Sequence, residues 1–200
     1  VGDKADLLFG THGQFTTGGA IRLAQAIEPF DPLWYEEPTA AETPEEMARV
    51  QRQTSITVAT GERLTTKYEF KRVLETQAAN ILQPALSRVG GILEAKKIAA
   101  MAEPFYAQMA PHLYAGPIEA LANIQFGACI PNFLILESIQ QFGGFYEQLL
   151  SRKIIWEDGA VIPFSEPGLG ADLNEEVARA HPYEGDKLHL NMMEEAIWPG

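Results

Sequence analysis

The sequence predicts an α/β fold with a parallel sheet, closed as a (β/α)8-type, TIM-like barrel domain. Three observations carry that prediction. Short apolar runs alternate with helix-like segments along most of the 200 residues. The alternation repeats at a steady interval, since Glu36 and Glu62, each ending a strand-like run, stand 26 residues apart. Polar residues recur just after successive strands, at His12, Glu36, Glu62, His112 and Glu137. An open doubly wound sheet would share the first observation. The third favours a barrel, whose functional side chains gather at the strand ends of one rim.

Taken in order, Ala5 to Phe9 reads as a buried strand. Thr17 to Ile27 reads as a helix, because Ala20, Ile21, Leu23, Ala24 and Ile27 recur at helical spacing. Leu33 to Tyr35 is the second strand. Thr43-Pro44-Glu45-Glu46 has the form of a capping box with proline at the first helical position, so a helix begins there. Ile56 to Ala59 is a strand and Lys67 to Glu75 a helix. Asn80 to Pro84 is a strand, and a Gly90-Gly91 break leads into a helix from Ile92 to Met101. Tyr106 to Ala110 is a strand, Ile118 to Phe126 a helix and Phe133 to Glu137 a strand.

That makes six strands within residues 1–150. A complete barrel has eight, so two more are expected upstream of Val1. Residues 151–200 change character and read as an extension that packs on the barrel or on a further domain. Within it, Ile154 to Ile162 is a hairpin about Asp158-Gly159, and Asn174 to Ala180 is a short helix. His181 and His189 fall in the poorly patterned tail and are read as unrelated to chemistry.

Composition narrows the function. A formal charge of −12 argues against nucleic acid and anionic membrane surfaces as partners. No apolar run approaches the roughly 20 residues of a membrane span, and no signal peptide is visible. The single cysteine, Cys129, excludes an internal disulfide and fits a reducing, cytoplasmic compartment. Its apolar neighbours suggest a core thiol. Two carboxylates meeting at one rim, Glu36 and Glu62, suit a hard divalent cation. Glu37 is expected to pair with a neighbouring basic group, and Arg63 with a strand-end carboxylate.

Several short motifs occur in a telling order: Glu36-Glu37-Pro38, Gly61-Glu62-Arg63, Leu82-Gln83-Pro84, Gly90-Gly91-Ile92 and Ala110-Pro111-His112. Together they resemble the barrel domain of the enolase superfamily, in its mandelate racemase and muconate lactonizing enzyme branch. Within that branch the chain is most similar to sugar-acid dehydratases of the galactonate dehydratase type. The resemblance runs from about Ala5 to Gly170 and corresponds to strands 3 to 8 of the family barrel. It implies a lyase that removes the proton α to a carboxylate while Mg²⁺ stabilises the enediolate. Position by position, it implies Glu36 and Glu62 as metal ligands and His112 as the base. It implies His12 as the acid that helps the β-hydroxyl leave, and Glu137 as a hydrogen-bonding partner of the substrate carboxylate or enediolate. A small acid sugar is the implied partner, Mg²⁺ the implied cofactor and a homo-oligomer the implied assembly.

Two positions depart from the family pattern. The first metal ligand, an aspartate two residues before His12, is replaced by Gly10. The aspartate that pairs with the base, after the Gln-Pro step, is replaced by Ala85. Losing the equivalent aspartate of a Ser-His-Asp triad lowers kcat about 10⁴-fold. Mg²⁺ commonly takes only one or two protein carboxylates, with water filling the rest, whereas imidazole is a poor ligand for it. The expectation is thus a Mg²⁺-dependent sugar-acid dehydratase with a weakened or incomplete site. The alternatives are a hydroxy-acid racemase or epimerase, and a non-catalytic homologue that binds a ligand or partner.

Overall fold

The computed structural model describes residues 4–138 and 142–182. Five strands form one parallel sheet in sequential order: β1 (Leu8–Gly10), β2 (Trp34–Glu36), β3 (Val58–Thr60), β4 (Ile81–Leu82) and β5 (Gln108–Met109). The crossovers carry α1 (Thr17–Ile27), α2 (Pro44–Gln51), α3 (Lys67–Thr76), α4 (Leu86–Val89) and α5 (Ile92–Ala102). After β5 comes α6 (Pro117–Ala128), and Phe133 then makes a single parallel bridge to Met109. The predicted strand from Phe133 to Glu137 therefore lies in its expected place, as one bridge rather than a ladder. Sequential parallel strands joined through helices form the wall of a barrel.

Side chains in a strand alternate between faces, and here both faces are covered. Val58, Leu82 and Met109 pack outward against Phe70, Val73 and Leu74 of α3 and Ala95 and Ile98 of α5. Trp34, Ala59, Ile81 and Ala110 form the inner layer, with Leu33, Leu134 and Ile135 against it. Two residues further along the same strands stand Glu36, Gln83 and His112. The apolar inner layer is thus the floor beneath the polar rim.

Four local expectations need correction. The first strand is exposed rather than buried, with Leu7, Leu8 and Phe9 all accessible, because β1 is the edge of this sheet. The helix at Thr43 starts where predicted, with Pro44 in its first turn, but Thr43 makes no capping bond. Glu46, the other half of the expected box, is bonded instead by Thr17 and Arg49. A complete capping box forms at α3, between Thr66 and Glu69. Strand β5 begins late, because Tyr106 takes a left-handed conformation that ends the preceding 3₁₀ turn. Cys129 is exposed just past α6, its thiol donating to the Phe126 carbonyl, so it is not a core thiol.

Beyond the barrel wall lie α7 (Phe145–Gln148), the antiparallel pair β6 (Ile155–Glu157) and β7 (Ala160–Ile162), and α8 (Glu175–Ala180). Asp158 and Gly159 both have positive φ, 49° and 78°, as the predicted two-residue hairpin turn requires. Ile154, Val161 and Phe164 pack with Leu121 and Ile124 of α6, which ties this extension to the barrel wall. His189 lies outside the described residues. Among the described residues no helix is long and apolar enough to cross a membrane.

The two capping sequences give a direct comparison. Thr66→Ala is expected to lower stability by about 1 kcal/mol, whereas Thr43→Ala should leave it within about 0.5 kcal/mol. Urea unfolding midpoints of the two variants check this.

Candidate active site

Parallel pairing sets which rim residues face one another. Gly10 is paired with Glu36, and Glu36 with Ala59, so the ends of β1, β2 and β3 lie side by side. Ala85 bridges His112, which brings the position after the Gln-Pro step beside the predicted base. Gly61 turns the chain at the end of β3 with φ +146°. A Cβ there would come within 2.8 Å of the Gln83 backbone nitrogen and 2.9 Å of Phe70. Only glycine fits that close approach, and the next residue is Glu62.

Glu62 stands between two imidazoles. His12 Nδ1 lies 3.1 Å from its Oε1, and His112 Nδ1 lies 3.4 Å from its Oε2. The same His112 nitrogen is 2.7 Å from Glu137 Oε2, which also accepts the Leu113 backbone N–H at 2.9 Å. The structure thus gathers His12, Glu62, His112 and Glu137 into one connected line. The carboxylate nearest the His112 ring comes from Glu137, in the segment after the Phe133 bridge, while position 85 carries no carboxylate.

Glu36 is held by Gln83, whose side-chain amide donates to Glu36 Oε2 at 2.6 Å. The other oxygen, Oε1, lies 3.9 Å from where a Cβ on Gly10 would project, and among the described residues, its chain neighbours aside, no other atom lies within 4 Å of that point. Gln83 appeared in a sequence motif without a role. The signal that assigns it one is the two-residue strand period, which puts it directly above Ile81 on the inner face.

Burial and charge tune these groups. Burial pushes the Glu36 carboxyl above the ordinary range, the Gln83 hydrogen bond opposes this, and the negative charges of Glu62 and Glu137 add to the rise. Burial by itself would lower the His112 pKa, but the hydrogen bond and charge of Glu137, with Glu62 and Glu36 beyond, hold it above the usual histidine value. Burial raises Glu137, yet the His112 bond and charge and the Leu113 N–H outweigh it and keep the carboxyl low.

Hard oxygen donors suited to a cation are present at Glu36 and Glu62. A second set, His12, Glu37 and Glu62, brings its ligand atoms within 4.8 Å of one another. In that set Glu37 is already neutralised, with Arg63 Nη2 2.8 Å from its Oε2. Glu37 and Arg63 therefore pair as the sequence suggested.

Residues 1–177 match the family model described as Enolase C-terminal domain-like. The D-xylonate dehydratase of Haloferax volcanii is 37% identical over 188 residues, covering 94% of this chain and 46% of that protein. The D-galactonate dehydratase of Cronobacter sakazakii is 40% identical, covering 88% of this chain and 49% of its own length. The chain thus spans about half the length of the curated relatives it matches. A mandelate racemase/muconate lactonizing enzyme from a Sulfitobacter species superposes with a TM-score of 0.90 at 61% identity, over 98% of this chain and 49% of that one. An enolase structure from Agrobacterium radiobacter, solved with Na and L-malate bound, superposes with a TM-score of 0.84 at 30% identity, over 92% of this chain and 50% of that one. With its parallel barrel wall and the ordered motifs along its rim, the chain belongs to the enolase superfamily, as an enolase C-terminal domain-like barrel of the mandelate racemase and muconate lactonizing enzyme branch.

Proposed function

We propose that this chain is the barrel part of a Mg²⁺-dependent dehydratase acting on a sugar acid. The observation that carries the reading is the line His12–Glu62–His112–Glu137, which sets two imidazoles on opposite oxygens of one carboxylate. The dehydratase relatives support the substrate class. The bound L-malate of the Agrobacterium radiobacter protein is itself a small hydroxy acid.

The residues divide the work as follows. His112 has Nδ1 held by Glu137, which leaves Nε2 to accept the proton α to the substrate carboxylate. His12, exposed and bonded to the other oxygen of Glu62, supplies a proton to the β-hydroxyl, which leaves as water. Loss of the α-proton and β-hydroxyl produces an enol, which tautomerises to a 2-keto-3-deoxy acid. Glu137, close to the reacting carbons through His112, also fits the role of a hydrogen-bonding partner for the substrate carboxylate. Glu36 and Glu62 fit a hard cation, because both offer carboxylate oxygens, and Gly10 leaves room for a Cβ 3.9 Å from Glu36 Oε1. When bound there, Mg²⁺ would offset the negative charge that develops on the substrate carboxylate.

One observation favours a second reading, in which the barrel binds a ligand without turning it over. Gly10 stands opposite Glu36 in the register and brings no donor to it.

Metal-linked stability separates these readings. Mg²⁺ at ten times its Kd should raise unfolding stability by about 1.4 kcal/mol, read as a melting-temperature difference between Mg²⁺ and EDTA. An unchanged melting temperature defeats the metalloenzyme reading. Gly10→Asp should tighten Mg²⁺ binding about tenfold by calorimetry, since a further carboxylate worth about 1.4 kcal/mol corresponds to that ratio. Adding Ala85→Asp should then raise the dehydration rate of galactonate or xylonate. In EDTA, Glu137→Gln should lower the His112 pKa, because Glu137 is the strongest group raising it. An NMR titration of His112 measures that shift, and a midpoint that stays or rises would contradict the assigned pairing.

A further inference from the structure

Three of the site residues have a chain neighbour that meets the others at one buried carboxylate, that of Glu37. Gly13 follows His12, Glu37 follows Glu36 and Arg63 follows Glu62. Glu37 is fully buried, yet it carries a carboxylate, with Arg63 Nη2 2.8 Å away and the Thr60 hydroxyl donating to Oε1 at 3.4 Å. A buried charge of this kind is tolerated only when paired. Its backbone is committed as well. The Glu37 N–H donates to Ala59 O at 2.9 Å, and its carbonyl accepts from Gly13 N at 2.7 Å and from the Thr11 hydroxyl at 3.0 Å. Glu37 holds a left-handed backbone, φ 42°, which a non-glycine residue rarely adopts. Gly13, at φ +70°, lies where any Cβ would overlap Arg63 Nη2 and come within 3.2 Å of Ala40 Cα.

We propose that Gly13, Glu37 and Arg63 are positioning residues, a lock centred on the buried Glu37 carboxylate that sets the mutual placement of His12, Glu36 and Glu62. Glu37 is tethered beside Glu36, and Arg63 beside Glu62, so the ion pair between them spans the gap between the two carboxylates' strands. Gly13 leaves the passage through which the guanidinium reaches Glu37, and its N–H ties the His12 turn to the same residue. The lock also offsets the charge of Glu37 with that of Arg63. This inference rests on the metal-binding reading proposed above.

Charge and position predict opposite results for one substitution, which makes the proposal testable. Arg63→Gln removes a cation from an acid-rich rim. On charge alone it should tighten Mg²⁺ binding. If Arg63 positions Glu62, binding should weaken instead, by about tenfold to a hundredfold, the usual effect of losing an outer-shell partner of a metal ligand. Calorimetric titration of the 200-residue chain with Mg²⁺ reads this, with the melting temperature in EDTA as the folding control. Tighter or unchanged binding overturns the proposal. Should Arg63→Gln fail to fold, Arg63→Lys keeps the charge but loses the planar fork; weaker binding is expected, and unchanged binding overturns the lock. Gly13→Ala should weaken binding in the wild type and add little in the Arg63→Gln background, whereas fully additive losses count against it. Should the wild type take up no Mg²⁺, the dehydratase reading fails separately. The lock is then judged by the His12 imidazole NMR signals in EDTA, which Arg63→Gln should shift and which must stay unmoved if the lock does not exist.

Discussion

A carboxylate taken from water needs a compensating charge or hydrogen bond, and the rim of this barrel is organised around that requirement. Four glutamates crowd the strand ends, and three have a cationic or ionisable partner. Glu37 has Arg63, Glu62 has His12 and His112, and Glu137 has His112 and a backbone N–H. Glu36 is held by the neutral amide of Gln83, and its pKa is raised by burial and by its acidic neighbours. That imbalance marks where the rim has most to gain from a bound cation.

The apolar interior makes the imbalance possible. The inner layer of Trp34, Ala59, Ile81 and Ala110 excludes water from beneath the rim. Glu36, Gln83 and His112 each stand two residues beyond an inner-layer residue, Trp34, Ile81 and Ala110, so all three rise above that layer on the inward face. A carboxylate, an amide and an imidazole from β2, β4 and the segment after β5 thus converge without any long loop to place them. Glu62 reaches the group by a different route, around the Gly61 turn that packs directly on the Gln83 backbone.

The fold was largely legible because its cause is periodic. Apolar residues at helical spacing marked α1, and alternating strand and helix segments marked the parallel sheet. The Asp158-Gly159 turn matched its hairpin through the positive φ it demands. Where reading failed, a tertiary competitor was responsible. Thr43 and Glu46 have the local chemistry of a capping box, but Thr17 and Arg49 from outside that box claim the Glu46 carboxylate. Cys129 has apolar neighbours in the chain, but the end of α6 turns it toward solvent. Exposure of β1 follows from its place at the sheet edge, which no local pattern reports.

The sequence alone determined the order of elements, the residue types at the rim and the two departures, Gly10 and Ala85. Those properties are written in spacing and identity, which are one-dimensional. Only the tertiary structure decided who pairs with whom. It set Glu137 rather than position 85 against the His112 ring, gave Gln83 to Glu36, and closed Arg63 onto Glu37 beside Gly13. Pairings of this kind depend on angstrom-scale distances between side chains far apart in the chain. Register and packing fix those distances, and neither is encoded by any single segment.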